Sequence, residues 1–176
     1  MKLLIASDIH GSAKYCKMLV DAYNREGAEM LLLLGDILYH GPRNPLPENY
    51  APQEVASLLG GLKEKIICVR GNCDGEVDQM VLPFPITPDY AAVFADGKRI
   101  YLSHGHREPP PLGAEDVYLT GHTHVPLKEN AGYLHLNPGS VSLPKDGSAH
   151  GYILYEGGRF LFKNLETGET YDEATV

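Results

Sequence analysis

The stretch Leu3-Leu4-Ile5-Ala6-Ser7-Asp8-Ile9-His10-Gly11 contains the pattern around which the rest of the chain is organised. Its apolar first half predicts a short buried strand, and Asp8 and His10 follow where that strand ends. Residues two apart on an extended chain point to the same side, so a carboxylate and an imidazole face one space. An oxygen beside an imidazole nitrogen suits a first-row divalent metal. A lone Asp-x-His pair is more often a polar strand end, so it indicates a metal site only if similar pairs recur along the chain.

Composition restricts the class of protein. The chain has 176 residues, 43% hydrophobic and 22% charged, which fits one domain (1–176) with a full core. Its formal net charge of -8 argues against a polynucleotide as partner. The three cysteines form no disulfide framework, so we expect reduced thiols and a cytoplasmic location. No stretch has the pattern of a signal peptide or of a membrane span, so we expect no membrane partner.

The first half of the chain alternates strands and helices. Apolar residues at helical spacing predict a helix over 13–26 that ends at Gly27. Apolar runs predict strands over 30–34 and 66–69, with a second helix over 53–62 between them. This order predicts right-handed crossovers and parallel strands, and open sheets of this kind bind ligands beyond the carboxyl ends of their strands.

The second half has short strands separated by turns that contain glycine. We expect most of it to form a second sheet packed on the first, with helices outside. The predicted strands span 91–94, 99–102, 117–119, 133–136, 152–155 and 159–162.

Polar residues next to glycine follow five of the predicted strands. Glycine permits the tight turns that let such side chains converge. The series is Asp8-Ile9-His10, Gly35-Asp36, Gly71-Asn72-Cys73-Asp74, Ser103-His104-Gly105-His106 and Gly121-His122-Thr123-His124.

This ordered series resembles the motifs of the calcineurin-like metallophosphoesterases over nearly the whole chain. Further details resemble the small bacterial YfcE-type branch of that family: His40-Gly41-Pro42-Arg43-Asn44, Arg70-Gly71-Asn72-Cys73-Asp74 and Asn137-Pro138-Gly139-Ser140. The resemblance implies an α/β fold, a four-layer α/β/β/α sandwich of two packed mixed β-sheets.

The resemblance also implies two divalent metal ions per chain. Manganese is the expected cofactor, with iron or zinc as alternatives, because the ligand set contains no thiolate. The positive charge of two such ions exceeds the negative charge of the two ligand carboxylates, so the centre would attract a phosphodiester anion even in an acidic protein. The implied ligands are Asp8, His10 and His124 for one ion; Asn72, His104 and His122 for the other; and Asp36, which bridges both through its two carboxylate oxygens.

Catalytic roles are expected for Asn72, Cys73 and Asp74. Many family members have a histidine, thought to assist the leaving group, where this chain has Cys73, and a thiol is a weak proton donor. Asp74 is expected to support a ligand or its loop, although a plain turn residue is the competing interpretation. Cys73 equally fits a site residue or a small side chain that fills a gap.

Further residues in these loops are candidates for substrate binding. The loop over 39–52 is long and stiff, and such loops are often functional. Arg43 and Arg70 could hold phosphate oxygens, although Arg70 could equally pair with an acid. His40 and His106 flank the site loops, where loop polarity alone explains them nearly as well.

The implied activity is hydrolysis of phosphodiesters by a metal-bridging hydroxide at a binuclear centre. The expected partner is a small phosphodiester substrate, and homo-oligomerisation is left open. Two alternatives stand beside this interpretation: a phosphomonoesterase, and a non-catalytic protein-interaction scaffold such as the small retromer subunit of the same fold. Such scaffolds tend to lose ligands, and all seven implied ligands are present here, which favours an enzyme.

Overall fold

The computed structural model describes residues 1–176, with eleven β-strands and three α-helices. In chain order the elements are β1 (Lys2–Ala6), α1 (Ala13–Glu26), β2 (Met30–Leu33), α2 (Pro52–Gly60), β3 (Ile66–Cys68), α3 (Glu76–Val81), β4 (Tyr90–Ala95), β5 (Lys98–Ser103), β6 (Val117–Leu119), β7 (Pro126–Asn130), β8 (Leu134–Pro138), β9 (Gly151–Glu156), β10 (Arg159–Asn164) and β11 (Thr170–Thr175). A short 3₁₀ turn, Lys63–Lys65, precedes β3.

The first sheet has the strand order β11-β10-β9-β1-β2-β3. Strands β1, β2 and β3 are parallel, which places their carboxyl ends at one edge, whereas β9 pairs with β1 in antiparallel orientation. Local sequence explains the helix between β1 and β2. The Ser12 side chain accepts a hydrogen bond from the Tyr15 N–H at its start, and Gly27 ends it in the left-handed conformation.

The second sheet has the order β4-β5-β6-β8-β7. Here β5, β6 and β8 are parallel, while β4 and β7 add antiparallel edges. Both sheets are therefore mixed, and the predicted α/β class with two packed mixed sheets is confirmed.

Two apolar cores lie on opposite faces of the first sheet. In β1, Leu4 and Ala6 pack towards α1 and α2, because successive side chains of a strand point to opposite faces. Leu3 and Ile5 point the other way and pack against the second sheet, in the core that also contains Leu102. The strand that carries Asp8 and His10 at its end is thus buried on both faces.

The helices of this fold are few and unevenly placed. Helices α1 and α2 pack on the outer face of the first sheet, whereas no helix follows Val81, so the second sheet lacks an outer helical layer. The connection between β5 and β6 contains Pro109, Pro110 and Pro111, which cannot continue a helix. No helix in the structure has both the length and the apolar composition needed to cross a bilayer.

The expectation that the late strands belong to the second sheet is wrong for β9 and β10. Both belong to the first sheet: β9 pairs with β1, β10 pairs with β9, and β11 extends the same sheet. Strands β7 and β11 and helix α3 were not predicted. The two strands are sheet edges with mostly polar, exposed residues, so neither has the apolar run on which the strand predictions were based.

Candidate metal centre

The predicted site residues meet where the two sheets adjoin. Each lies just beyond the carboxyl end of a strand, and parallel strands bring these ends together. Asp8 and His10 follow β1, Asp36 follows β2, Asn72 follows β3, His104 follows β5, and His122 and His124 follow β6.

The backbone at these strand ends is unusual. Five of the seven residues have a left-handed conformation that residues other than glycine seldom adopt. Such a conformation costs about 1–3 kcal/mol per residue and persists only where the surroundings enforce it, as they do at functional sites. The φ angles are 58° at Asp8, 49° at His10, 55° at Asp36, 69° at His122 and 63° at His124.

Backbone carbonyls fix the proton on three of the imidazoles. The Nδ1–H groups of His10, His104 and His124 donate to the carbonyls of Tyr39 (2.8 Å), Leu34 (2.6 Å) and Leu143 (2.7 Å). Because a carbonyl can only accept, Nδ1 carries the proton in each neutral ring, and Nε2 presents a lone pair to the site. This arrangement is the one expected of histidine metal ligands.

When its imidazoles are neutral and protonated on Nδ1, the first cluster consists of three acceptors with no donor between them. His10 Nε2 and His124 Nε2 lie 3.1 Å apart, and Asp8 Oδ1 lies 3.5 Å from the former and 3.3 Å from the latter. Asp8 Oδ1 is buried and has no hydrogen-bond partner. Buried polar atoms normally have one, so this oxygen and two lone pairs fit a divalent cation between them.

The second cluster gathers around His104 Nε2. That nitrogen lies 3.0 Å from Asn72 Oδ1, 3.3 Å from His122 Nδ1 and 3.4 Å from Asp36 Oδ2. Oxygen and imidazole donors at such spacings suit a second divalent ion.

Asp36 connects the two clusters through one oxygen rather than two. Its Oδ2 lies 3.4 Å from His104 Nε2 and 3.7 Å from His10 Nε2. Its Oδ1 instead accepts a hydrogen bond of 2.8 Å from the Cys73 N–H. Oδ2 is thus the oxygen that faces both clusters, whereas Oδ1 is held by the loop after β3.

Electrostatics keep both carboxylates charged. Burial alone would raise the pKa of Asp8, but the neighbouring His10 and His124 outweigh it and hold that pKa well below its usual range. Burial likewise opposes ionisation of Asp36, and His104 more than compensates, so the pKa of Asp36 is also lowered. Two buried anionic groups are thus available to cations.

Asp74 holds the loops that carry other site residues. Its buried carboxylate accepts hydrogen bonds from the backbone N–H groups of Asp36 (2.8 Å), Ile37 (2.9 Å) and Gly71 (2.7 Å). Burial, together with the charge of Asp36, raises the pKa of Asp74 to about 6 despite these donors. The side chain thus fixes the Asp36 turn to the Gly71 loop and does not orient its neighbour Cys73.

Cys73 faces the site and carries its proton. Its Sγ lies close to candidate ligand atoms of His10 and Asp36. The Asn72 side-chain amide donates a hydrogen bond to this sulfur at 3.3 Å. Burial and the negative charge of Asp36 raise the pKa of the thiol to about 12.

Comparison with known proteins agrees with this geometry. The model of the calcineurin-like phosphoesterase superfamily domain matches residues 1–157. The chain belongs to this superfamily. The predictions of the family and of a hydrolase of the phosphoesterase class are confirmed.

Relatives place the chain near one branch of the superfamily. It is 49% identical over 157 residues to phosphodiesterase YfcE of Escherichia coli K12, covering 86% of this chain and 85% of that protein. The solved structure of YfcE, a phosphoesterase from E. coli, aligns over 99% of both chains with a TM-score of 0.96 and 42% identity. Vps29 from Entamoeba histolytica shares the fold, with a TM-score of 0.67, 21% identity and 100% and 99% coverage.

The candidate site opens into a cavity of about 850 Å³ whose lining includes two cationic side chains, Arg43 and Lys145. Arg43 was a sequence candidate, whereas Lys145 was missed because a single lysine in a turn carries no pattern. Its neighbour in space is His124, whose carbonyl accepts a hydrogen bond from the Lys145 N–H at 3.1 Å.

Three other candidates lie outside the lining of this cavity. Arg70 donates to the Asp74 carbonyl and lies 3.9 Å from Glu76, so it pairs within its own loop. His40 packs edge-on against Tyr39 and Tyr50. His106 packs edge-on against His104, with ring centroids 5.3 Å apart. The structure thus brings none of the three into the cavity lining, and of the three only His106 packs against rings of the second cluster, those of His104 and His122.

Gly71 permits the approach of two loops that the site requires. A Cβ added there would overlap Asp36 Oδ1 and the Asp36 backbone. We expect Gly71→Ala to lower the free energy of unfolding of metal-free protein by about 1–3 kcal/mol, the usual cost of overpacking, and to reduce its affinity for Mn²⁺. Chemical denaturation with chelator and calorimetric titration with Mn²⁺ measure the two effects.

Gly60→Ala is the matched control. The added Cβ would lie 3.6 Å from the Pro83 ring, an ordinary contact, at the end of α2. Its stability should stay the same or rise by up to about 1 kcal/mol, since alanine is the better helix former. Equal stability and equal Mn²⁺ affinity in both variants would contradict the steric account of Gly71.

Proposed function

We propose that the chain is a metal-dependent phosphodiesterase that works with two divalent ions. The observation that carries the proposal is the convergence of carboxylate, amide and imidazole ligand atoms on both sides of Asp36 Oδ2. The residues proposed to hold the ions are Asp8, His10 and His124 for one, Asn72, His104 and His122 for the other, and Asp36 for both.

The donor chemistry supports first-row divalent ions. All seven proposed donors are carboxylate or amide oxygens and imidazole nitrogens, and manganese, with iron or zinc as alternatives, suits this mixture. When bound, the two ions would lower the pKa of a nucleophilic water and neutralise charge on the phosphoryl oxygens.

The chain's own residues position the substrate. Arg43 and Lys145 lie in the cavity walls around the clusters, where a guanidinium and an ammonium can hold phosphate oxygens that point away from the ligands. Asp74 is proposed as a positioning residue, since its three backbone hydrogen bonds keep Asp36 and the Gly71 loop in place.

Diesters rather than monoesters are proposed as substrates. A phosphodiester carries one negative charge, whereas a monoester dianion has an additional charged oxygen that needs its own donors. Two exposed cations are the only positively charged side chains in the cavity lining. The E. coli relative that is 49% identical is itself named a phosphodiesterase, which supports the same choice.

Asp36→Asn tests whether one carboxylate is shared by two ions. The substitution keeps the size but removes the negative charge, so we expect the Mn²⁺ content to fall from two ions per chain to one or fewer. Turnover of bis(p-nitrophenyl) phosphate should fall by at least about 100-fold. Elemental analysis and steady-state kinetics measure these effects.

Asp21→Asn provides the control, because Asp21 lies on the exposed face of α1 and pairs with Lys17. It should retain two ions and wild-type turnover. Two bound ions and an unchanged rate in Asp36→Asn would contradict the assignment of the shared ligand.

The choice of substrate is tested by comparing p-nitrophenyl phosphate with bis(p-nitrophenyl) phosphate on Mn²⁺-loaded protein. We expect the larger kcat/KM for the diester. Arg43→Ala and Lys145→Ala should each raise KM for the diester about 10- to 150-fold, the usual value of a charge-assisted hydrogen bond.

Arg70→Ala, which removes a cation outside the cavity lining, should change KM by less than about twofold. A larger kcat/KM for the monoester would favour the phosphomonoesterase alternative. Absence of hydrolysis of either ester with two ions bound would favour the scaffold alternative.

A further inference from the structure

A second cavity, of about 650 Å³, lies beside the metal centre. It is bounded by the loop after β2, by α2 and by α3. Most of its lining is apolar: Leu38, Tyr39, Tyr50, Ala56, Val77 and Val81.

The two cavities share a wall. Tyr39, Cys73 and Gly75 line both of them, and the Cys73 thiol also groups with the ligand atoms of His10 and Asp36. A molecule whose phosphate lies at the metal clusters can therefore extend past Cys73 into the apolar cavity. The cavity is thus continuous with the site of the proposed reaction.

Helix α3 exposes apolar side chains towards this cavity. Val77 is 73% exposed and Val81 is 57% exposed, and both line it. Residues four apart on a helix share one face, so the two valines form one apolar wall opposite α2. An exposed apolar wall beside a polar site is typical of a surface that binds a ligand.

The charge of the lining excludes one kind of occupant. No lysine, arginine or histidine lines the cavity, and its one carboxylate belongs to Asp78. That carboxylate accepts a hydrogen bond of 2.7 Å from the Gly75 N–H. A second phosphate or another anionic group would meet this negative charge without a cation, whereas an uncharged apolar group meets valines and tyrosine rings.

We propose that this apolar cavity binds one uncharged ester arm of the substrate, an aryl or alkyl group, while the phosphate lies at the metal clusters. The assignment rests on the proposed phosphodiesterase function and names its substrate class: phosphodiesters with at least one apolar alcohol component. Val77, Val81 and Ala56 are then residues that determine specificity, and they act on the arm rather than on the phosphate.

The test uses Mn²⁺-loaded full-length protein and two substrates with the same leaving group, phenyl p-nitrophenyl phosphate and methyl p-nitrophenyl phosphate. Two variants change the cavity: Val77→Ser with Val81→Ser makes its wall polar, and Ala56→Phe fills it. Met80→Ser is the control, because Met80 lies on the same helix, is 84% exposed and does not line the cavity.

We expect both cavity variants to lower kcat/KM for the phenyl ester about fivefold or more while they retain two Mn²⁺ ions. Met80→Ser should keep the wild-type kcat/KM. If kcat/KM for the methyl ester is unchanged, the cavity binds the arm that stays on the phosphate. If kcat/KM for the methyl ester falls equally, the cavity binds the leaving aryl group. Both results support the proposal.

Two results would overturn it, and they are distinguishable. Wild-type hydrolysis of both esters, with the same kcat/KM in both cavity variants, would reject the cavity as a binding site while the phosphodiesterase function stands. Wild-type protein that binds two ions and hydrolyses neither ester would reject both proposals.

Discussion

The 3.1 Å approach of His10 Nε2 and His124 Nε2 is the constraint on which the rest of the site depends. Both nitrogens present lone pairs, because their rings donate Nδ1–H to backbone carbonyls, and a buried carboxylate oxygen without a partner lies beside them. A buried acceptor left unpaired costs about 1–3 kcal/mol, so the fold must supply the energy that holds these atoms together. A cation bound among them removes that cost, and metal binding is therefore expected to stabilise the folded chain.

The two packed sheets supply that energy. Asp8, His10, Asp36 and Asn72 extend from the first sheet, whereas His104, His122 and His124 extend from the second. Neither sheet holds a complete set, so the apolar core between the sheets fixes the distances across the site. Asp74 and Gly71 perform the same task within the first sheet, one through hydrogen bonds to backbone and the other through the absence of a side chain.

The sequence predicts the parts of this arrangement that depend on local pattern. Continuous apolar runs predict β1, β2 and β3, and polar residues after them predict which side chains converge. The sheet to which β9 and β10 belong could not be predicted, because strand partners are chosen by distant packing. Beside β1, Tyr155 and Ile153 of β9 join the core between the two sheets. Edge strands β7 and β11 lack apolar runs, and the role of Lys145 depends on where its turn lies in space.

Details of ligation also depend on the folded backbone. The family resemblance in the sequence predicts Asp36 as the shared residue, yet only the structure shows that the Cys73 N–H donates to one of its oxygens and that the other faces both clusters. The apolar cavity is likewise a tertiary property, since α2, α3 and the loop after β2 each contribute a few residues that form no pattern of their own.

The most direct test of a two-ion centre is an anomalous difference map from crystals of the Mn²⁺-loaded protein, measured at a wavelength where manganese scatters anomalously. The account predicts two peaks per chain. One peak is surrounded by Asp8, His10 and His124, the other by Asn72, His104 and His122, and both lie within bonding distance of Asp36 Oδ2. A single peak at full Mn²⁺ loading, or two peaks of which one does not contact Asp36, would contradict it.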